Sequence, residues 1–188
     1  MSDVGSFGFR EQMAFGQSIE RDPRVHAKLL AFVPNSAAPV RPATLAEQRR
    51  GVDLWVDRSD GGPVSFDIKA ASFDPIKRLH MDNVCIEIAS RVVEDPTRPG
   101  VMVVEKLGWT VDPTKCTDYT VYVWLLDDGE LRIWIADARI LRRTAERMQV
   151  PWKHYFKEIK NSGYSTWCLY PPRWWVEDEM LRTEELGL

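Results

Sequence analysis

The feature that most limits the fold is a pair of alternating segments on either side of Asp60-Gly61-Gly62. Apolar residues recur at every second position in both segments: Val52, Leu54 and Val56 before the turn, and Val64, Phe66 and Ile68 after it. Such alternation predicts two strands that share one buried face. A turn centred on Asp60 places Leu54 opposite Phe66, and a shift by one residue would turn one apolar set away from the core. The segment is therefore predicted to be an antiparallel hairpin.

The same register concentrates charge on the other face of the hairpin. Asp53 would lie opposite Asp67, and Lys69 would lie two residues further along on the same face. Two carboxylates that face each other repel, and a lysine or a divalent cation offsets that repulsion. Carboxylate oxygens suit Mg²⁺ or Mn²⁺. We therefore predict that Asp53 and Asp67 bind such a metal, and that Lys69 serves a water or a phosphate oxygen beside it.

A helix predicted over residues 9–21 adds a third acid. One face of this helix carries four residues at spacings of three and four: Phe9, Met13, Gly16 and Glu20. On that face Glu20 would point towards the sheet, where a carboxylate without a partner is costly. Gly16, one turn earlier, would let the helix approach the sheet closely. Glu20 is therefore a candidate metal ligand or catalytic acid.

The order of the remaining elements defines the fold class. Asp22 and Pro23 predict the start of a second helix that ends near Phe32. An extended connection with three prolines is expected at 33–44. Further strands are predicted at 84–89, 101–105, 118–126 and 131–136, and a helix at about 138–148. These elements predict an α/β (α+β) single domain over residues 1–175, with a central mixed sheet flanked by helices, and an acidic tail or short helix at 176–188.

Three of these strands carry further expectations. The strand at 84–89 would bury Val84, Ile86 and Ile88 and leave Glu87 on its polar side, where Glu87 could complete the metal site. The last two strands would form a second hairpin across Asp127-Asp128-Gly129.

Charge alone does not indicate a nucleic-acid binder, because the net charge is −3. The stretch 139–160 is locally basic and contains interleaved aromatic residues. Its cations that could contact a phosphate backbone are Arg139, Arg142, Arg143, Lys153 and Lys157. A solvated helix face is the simpler interpretation of this stretch. Trp174 and Trp175 could stack on a base, although packing against the core is favoured.

Several classes of protein are disfavoured by what the sequence lacks. No apolar run approaches the ~20 residues of a membrane helix. The first ten residues do not resemble a secretory signal. Cys85, Cys116 and Cys168 show no zinc-type or CxxC spacing, so they are expected to be reduced, with no metal or redox role. The sequence therefore predicts a cytoplasmic protein.

Taken in order, the candidate residues resemble those of a known enzyme superfamily. Gly16-Gln17-Ser18-Ile19-Glu20, then Gly51-Val52-Asp53, then Phe66-Asp67-Ile68-Lys69 resemble the PD-(D/E)xK nuclease superfamily. The likeness covers roughly residues 9–126. Two departures are that Val52 stands where a proline is usual, and Asp67 where Glu is commoner.

This resemblance implies a core with a restriction-endonuclease-like fold: a helix, a mainly antiparallel start of the sheet, a helix and a further strand. It implies Asp53, Asp67 and Glu20 as acids of a Mg²⁺ or Mn²⁺ site and Lys69 as the catalytic lysine. The activity implied is hydrolysis of phosphodiester bonds, with DNA favoured over RNA, by a phage-type or resolvase-like endo- or exonuclease that works as a homodimer.

Two alternatives remain open at this point. A protein with the nuclease fold could bind nucleic acid or a protein partner without cleaving anything. An assembly protein could carry Asp67 and Lys69 as a simple ion pair.

Overall fold

The computed structural model describes residues 9–72, 83–126, 128–147, 155–161 and 163–185. The helices are α1 (Phe9–Glu20), α2 (Pro23–Phe32), α3 (Leu45–Arg49), α4 (Ala138–Arg147) and α5 (Arg173–Glu185). The strands are β1 (Ser36–Pro42), β2 (Leu54–Arg58), β3 (Val64–Ser72), β4 (Ile86–Glu94), β5 (Met102–Leu107), β6 (Tyr119–Leu125), β7 (Leu131–Asp137), β8 (Phe156–Asn161) and β9 (Tyr164–Leu169). The predicted mixture of helices and strands is confirmed.

The chain divides into two compact units. The first unit comprises Met1–Phe73 and Tyr119–Ile135, and the second comprises Asp74–Asp118 and Ala136–Leu188. Neither unit is one continuous segment, since the chain leaves the first unit and later returns to it. The predicted boundary between residues 175 and 176 falls inside α5.

The predicted hairpin and its register are confirmed in the first unit. β2 and β3 are antiparallel, and Leu54 pairs with Phe66 and Val56 with Val64. Leu54, Val56 and Phe66 are almost completely buried, as alternation with one apolar face requires. Phe66 also stacks on Tyr119 of the neighbouring strand, with ring centroids 5.8 Å apart.

The sheet of the first unit is mixed, in the strand order β1-β2-β3-β6-β7. β3 and β6 are parallel, and this pairing sets Asp67 directly beside Thr120. The segment predicted as an extended connection contains β1, and the short helix α3 follows it. β1 tolerates its prolines because it lies at one end of the strand order, where backbone N–H groups are not all needed for pairing. β6 and β7 are neighbours, as predicted for the second hairpin, and Leu126 N donates to Glu130 O at 2.9 Å; Asp127 lies outside the described residues.

Helix α1 forms where expected but packs through different residues. Ile19 is buried and Phe15, one turn earlier, packs against the same apolar cluster. Met13, predicted to face the sheet, is 49% exposed. The prediction for Gly16 was also wrong, because a Cβ built there would meet no atom within 4 Å. The side chain of Phe9 lies outside the described residues.

Helix α2 begins as the sequence predicts. The Asp22 side chain caps it by accepting a hydrogen bond from Arg24 N at 2.8 Å, and Pro23 occupies the first turn. Val25 and Leu29 are fully buried, one turn apart on the face that meets the core.

The second unit contains an antiparallel sheet in the order β5-β4-β9-β8. β4 begins at Ile86 and its register shifts around Ala89, so that Ala89 is buried where Ile88 was predicted to be. Helix α4 is confirmed within a residue of its predicted bounds. β8 and β9 were not predicted. The lysine and glutamate residues between the apolar residues of β8 made it resemble part of a basic helix.

Alanine substitutions at two glycines test the fold, because they should change the free energy of unfolding in opposite directions. At Gly108, just after β5, a Cβ would collide with the backbone carbonyl of Glu87, whereas Gly16 has open space around it. We expect Gly108→Ala to lower the free energy of unfolding by about 1–3 kcal/mol, because backbone must shift. Gly16→Ala should raise it by roughly 0.5–1 kcal/mol through helix propensity. Urea denaturation measures both, and equal stability of Gly108→Ala and the wild type would contradict this packing.

Candidate acidic site

Asp53 is held in place by its own backbone and by that of β3. Its N–H donates to Phe66 O at 2.8 Å, and its C=O accepts from Ala43 N at 2.8 Å. It lies one residue before β2, and its side chain makes a bond beyond the regular pairs of the hairpin. Asp53 Oδ2 accepts from Ile68 N at 2.8 Å. This bond brings the Asp53 carboxylate next to Asp67, as the hairpin register suggested.

Asp67 is a buried carboxylate with one oxygen paired and one not. Its side chain is 7% exposed, and Oδ1 accepts from Lys69 Nζ at 2.7 Å. Asp67 Oδ2 is buried and has no hydrogen-bond partner among the described residues. Burial is the largest cause of a rise in the pKa of Asp67 to about 6; Lys69 opposes this rise, and the negative charge of Asp53 adds to it. The ionised form of Asp67 is therefore costly in free energy at this site.

The two aspartates are close enough to share a proton. Two ionised carboxylates only accept hydrogen bonds, so they cannot bond to each other. Once Asp67 is protonated it can donate to Asp53, and this bond also raises the pKa of Asp67. The pair therefore favours either a proton or another positive charge between its oxygens.

Glu20 lies at the end of α1 and belongs to the same electrostatic neighbourhood. The backbone carbonyl of Glu20 accepts from His26 Nε2 at 2.7 Å, which fixes the end of the helix. Burial raises the pKa of the Glu20 carboxyl, and the charges of Asp53 and Asp67 raise it further, while Arg21 and Lys69 oppose the rise. Asp53, Asp67 and Lys69 are thus neighbours, and Glu20 is near enough for their charges to affect its pKa.

The donor arrangement is less complete than the sequence predicted. Among the described residues, no three or more His, Cys, Asp or Glu side chains converge closely enough to hold a metal ion. Glu87, predicted as an additional ligand, belongs to the second unit, where its carboxylate accepts from Trp109 N at 3.4 Å. The metal site therefore stays a proposal, centred on two aspartates with Glu20 near them.

Thr120 is a site residue that sequence analysis missed. It lies directly beside Asp67 in the parallel pairing of β3 and β6 and is 1% exposed. Its Oγ1 is buried without a hydrogen-bond partner among the described residues, like Asp67 Oδ2. Buried oxygens of this kind are rare and need an explanation such as an ion, a water or a substrate group. The sequence signal that could have identified Thr120 is its polar side chain within the apolar run of β6.

An aromatic wall lies beside Lys69. Tyr122 is the neighbour of Lys69 across the β3–β6 pairing. The Tyr122 ring lies 6.0 Å from that of Trp124 and 5.6 Å from that of Trp134, measured between centroids. Tyr122 is 4% exposed, so the strand neighbour of Lys69 is a buried aromatic residue. A charged group there is screened less than on an open surface.

The cations predicted to contact nucleic acid make contacts within the second unit. Arg139 pairs with Asp137 at 2.7 Å, and Lys157 Nζ lies 5.7 Å from the ring centroid of Tyr170. Arg142 donates to the carbonyls of Thr110 at 2.9 Å and Lys115 at 2.8 Å, which ties α4 to the segment after β5. Arg142 therefore has a structural role.

The structure does not assign a structural role of this kind to the other predicted cations. Lys153 lies outside the described residues, and Arg143 makes interactions of its own. A nucleic-acid role for Arg139, Arg143 and Lys157 stays a prediction.

The cysteines are reduced, as expected, but two of them are neighbours. Cys85 and Cys168 belong to adjacent segments of the second unit, and their thiols are hydrogen-bonded. This bond and burial raise the pKa of the Cys168 thiol, so the neutral thiol is the stable form. Burial and the same thiols raise the pKa of Tyr170.

Comparison of the chain with protein-family models, with curated proteins and with solved structures finds no match. The functional argument is therefore made from the geometry above. Within the ranges that the structure describes, no helix is both long enough and apolar enough to cross a membrane.

Proposed function

We propose that this protein is a metal-dependent nuclease that hydrolyses phosphodiester bonds, with DNA favoured over RNA as substrate. The observation that carries this proposal is the buried Asp67 carboxylate, which has Asp53 and Lys69 beside it and one oxygen without a hydrogen-bond partner among the described residues. Perturbed carboxylates grouped with a lysine are typical of sites that do chemistry.

The arrangement of the first unit supports membership of the PD-(D/E)xK superfamily and its restriction-endonuclease-like core. Helix α1 precedes an antiparallel hairpin, and β6 then adds to β3 in parallel. One element departs from that core: between β3 and β6, the described residues 83–118 form β4 and β5 and no helix. The proposal therefore rests more on the site than on the complete order of elements.

The residues present suit a hard divalent cation. Carboxylate oxygens are the donors that Mg²⁺ and Mn²⁺ prefer, and an ion near Asp67 Oδ2 would relieve the charge of a buried carboxylate. Asp53 and Asp67 would hold the ion, with Glu20 assisting. When bound, such an ion polarises a phosphate and lowers the pKa of a water.

The chain's own groups have separate roles in this proposal. Asp53 is oriented by its bond to Ile68 N, which leaves the other carboxylate oxygen available. Lys69 brings a positive charge and N–H donors to the same place, where it can donate to a phosphate oxygen or position the attacking water. Tyr122 is the buried strand neighbour of Lys69, and low polarity on this side of the sheet would strengthen the interaction of Lys69 with an anion.

One alternative keeps the fold and removes the activity. The Lys69–Asp67 ion pair already offsets part of the negative charge, and the described residues hold no complete set of three donors. A protein of this kind would bind nucleic acid or a protein partner without cleaving it. Cleavage assays separate the two.

The decisive experiment is cleavage of supercoiled plasmid and of single-stranded DNA with Mg²⁺, with Mn²⁺ and with EDTA. We expect cleavage that requires the metal and that falls about 10²–10⁴-fold in Lys69→Ala, because a group beside the reacting phosphate is lost. Lys28→Ala, which removes an exposed lysine from α2, is the matched control and should cleave like the wild type. Wild-type cleavage no faster than that of Lys69→Ala on every substrate would leave the non-cleaving alternative.

A further inference from the structure

A cleft between α4 and α5 in the second unit is independent of the acidic site. Its volume is about 280 Å³. The residues that line it are Thr144, Arg147, Trp174, Trp175, Asp178 and Glu179. Pockets for drug-sized ligands measure roughly 300–1,000 Å³, so this cleft suits a small ligand or one chemical group of a larger one.

Two tryptophans form an aromatic corner in this cleft. The rings of Trp174 and Trp175 meet at 78°, with centroids 5.7 Å apart. Trp175 is fixed from behind by Tyr155, whose ring lies 5.4 Å away. Trp174 is 55% exposed, which is unusual for so large an apolar side chain. The corner therefore presents aromatic surface to solvent in a concave place, where a ligand can cover it.

The charge of the lining is negative. Asp178 lies one turn after Trp174 on α5, and Glu179 lies one turn after Trp175, so each ring has a carboxylate beside it. Arg147 is the only cation among the described residues of the lining, and its guanidinium is paired with Glu179. Asp178 has no ion-pair partner among the residues that the structure describes. A phosphate or carboxylate ligand would therefore meet repulsion here, and a cation would meet attraction.

We propose that this cleft binds a quaternary ammonium group. A cation over the face of tryptophan is attracted by the ring, and the attraction is strongest where water is displaced. Methylated ammonium groups need no hydrogen-bond acceptors and have an apolar outer surface, which fits a cleft whose hydroxyl, Thr144 Oγ1, already donates to Ile140 O at 2.9 Å. Asp178 supplies the compensating charge. A base stacked on Trp174 is the competing occupant, but its phosphate would face Asp178 and Glu179.

The test titrates the full-length protein with choline, followed by calorimetry and by protein NMR. The matched ligand is 3,3-dimethyl-1-butanol, which has the same shape with carbon in place of the charged nitrogen. We expect saturable binding of choline, and binding of the neutral analogue about tenfold weaker, because only the cation interacts with the ring faces and Asp178. Equal affinity for the two compounds would overturn the proposal, and so would tighter binding of AMP than of choline.

Variants locate the site. Trp174→Ala and Asp178→Asn should each weaken choline binding severalfold or more, and Trp174→Phe should retain most of it. Glu177→Gln removes the same charge one residue away, from a side chain that pairs with Arg173 at 3.0 Å and does not line the cleft, so it should bind like the wild type. Circular dichroism checks folding, which Trp174→Ala should preserve because its side chain is largely exposed. Unchanged binding in Trp174→Ala and Asp178→Asn would overturn the assignment.

Three sources could supply the ammonium group: a lipid headgroup, a modified protein or a free small molecule. Separate arms of the experiment distinguish them. Phosphatidylcholine vesicles, with phosphatidylglycerol vesicles as control, test a lipid headgroup. A trimethyllysine peptide, with the unmodified lysine peptide as control, tests a modified protein. Binding of choline, without binding of the phosphatidylcholine vesicles or of the trimethyllysine peptide, would identify a free small molecule as the ligand.

Discussion

Asp67→Asn is expected to abolish cleavage and at the same time to make the folded protein more stable at pH 8. Burial beside Asp53 raises the pKa of Asp67 to about 6, so keeping it ionised above pH 7 costs on the order of 3 kcal/mol. Asparagine has the same shape, carries no charge and can donate to Asp53. Loss of this carboxylate should remove several kcal/mol of transition-state stabilisation, which is a fall in rate of ~10³-fold or more.

The stability of the wild-type protein should change with pH in a definite direction. The pKa of Asp67 in the folded protein lies above its ordinary value of 3.8, so the folded state holds more protons between these two values. Wild-type stability is therefore fully present below about pH 4 and declines as the pH rises through about 6. The advantage of Asp67→Asn should be small in acid and should reach its full size above pH 7. Glu20, whose pKa is also raised, contributes in the same direction to both proteins, and less in Asp67→Asn because one of the charges that raise its pKa is absent there.

Urea denaturation across pH 4–8 without metal, together with plasmid cleavage at pH 8 with Mg²⁺, measures both effects. Asp57→Asn is the control, because Asp57 lies exposed on β2 and carries the same charge. That variant should stay within about 0.5 kcal/mol of the wild type and cleave normally. An Asp67→Asn protein that is less stable than the wild type at pH 8, or that still cleaves at the wild-type rate, would remove Asp67 from the proposed role.

The central part of this site could be predicted because it depends on local pattern. Alternation on both sides of Asp60 fixes the hairpin register, and the register alone brings Asp53 towards Asp67 and Lys69. Glu20 was found for a partly wrong reason, since among the described side chains of α1 Ile19 is buried and Phe15 is partly buried against the same core. The helix face predicted from the sequence lies beside the face that packs against the core. Glu20 is at the edge of the packed face, next to Ile19.

The rest depends on contacts between distant parts of the chain. Thr120 joins the site only because β6 pairs in parallel with β3, and no local pattern specifies which strand becomes the neighbour of β3. The division into two units follows from the same long connection, which leaves the first unit after β3 and returns at β6. β8 escaped prediction because charged residues on an exposed strand face resemble those of a solvated helix.

Lys69→Met is expected to abolish cleavage as well, but with the opposite effect on stability. Methionine keeps much of the length of the side chain and removes the cation that pairs with Asp67 Oδ1. Asp67 then remains beside Asp53 and near Glu20 without the charge that opposes the rise of its pKa. Because Asp67 is buried and the lysine is partly exposed, we expect a loss of about 1–3 kcal/mol at pH 8. The loss should shrink below pH 6, where Asp67 becomes protonated.

A double mutant separates a charge effect from damage to packing. In Asp67→Asn/Lys69→Met neither the buried negative charge nor its partner is present, so most of the stability lost in Lys69→Met should return. Strictly additive effects of the two changes would mean that Lys69 acts through packing and not through its pairing with Asp67.

Magnesium completes the comparison, because a ligand that binds only the folded state must raise the melting temperature. We expect Mg²⁺ to stabilise the wild type, to stabilise Lys69→Met more strongly since the ion replaces the missing positive charge, and to have little effect on Asp67→Asn. An ion pair without a metal site predicts a different pattern, in which Mg²⁺ stabilises none of the three proteins. Thermal unfolding with Mg²⁺ and with EDTA, read beside the cleavage assay, therefore distinguishes a nuclease metal site from a lysine that simply neutralises a buried aspartate.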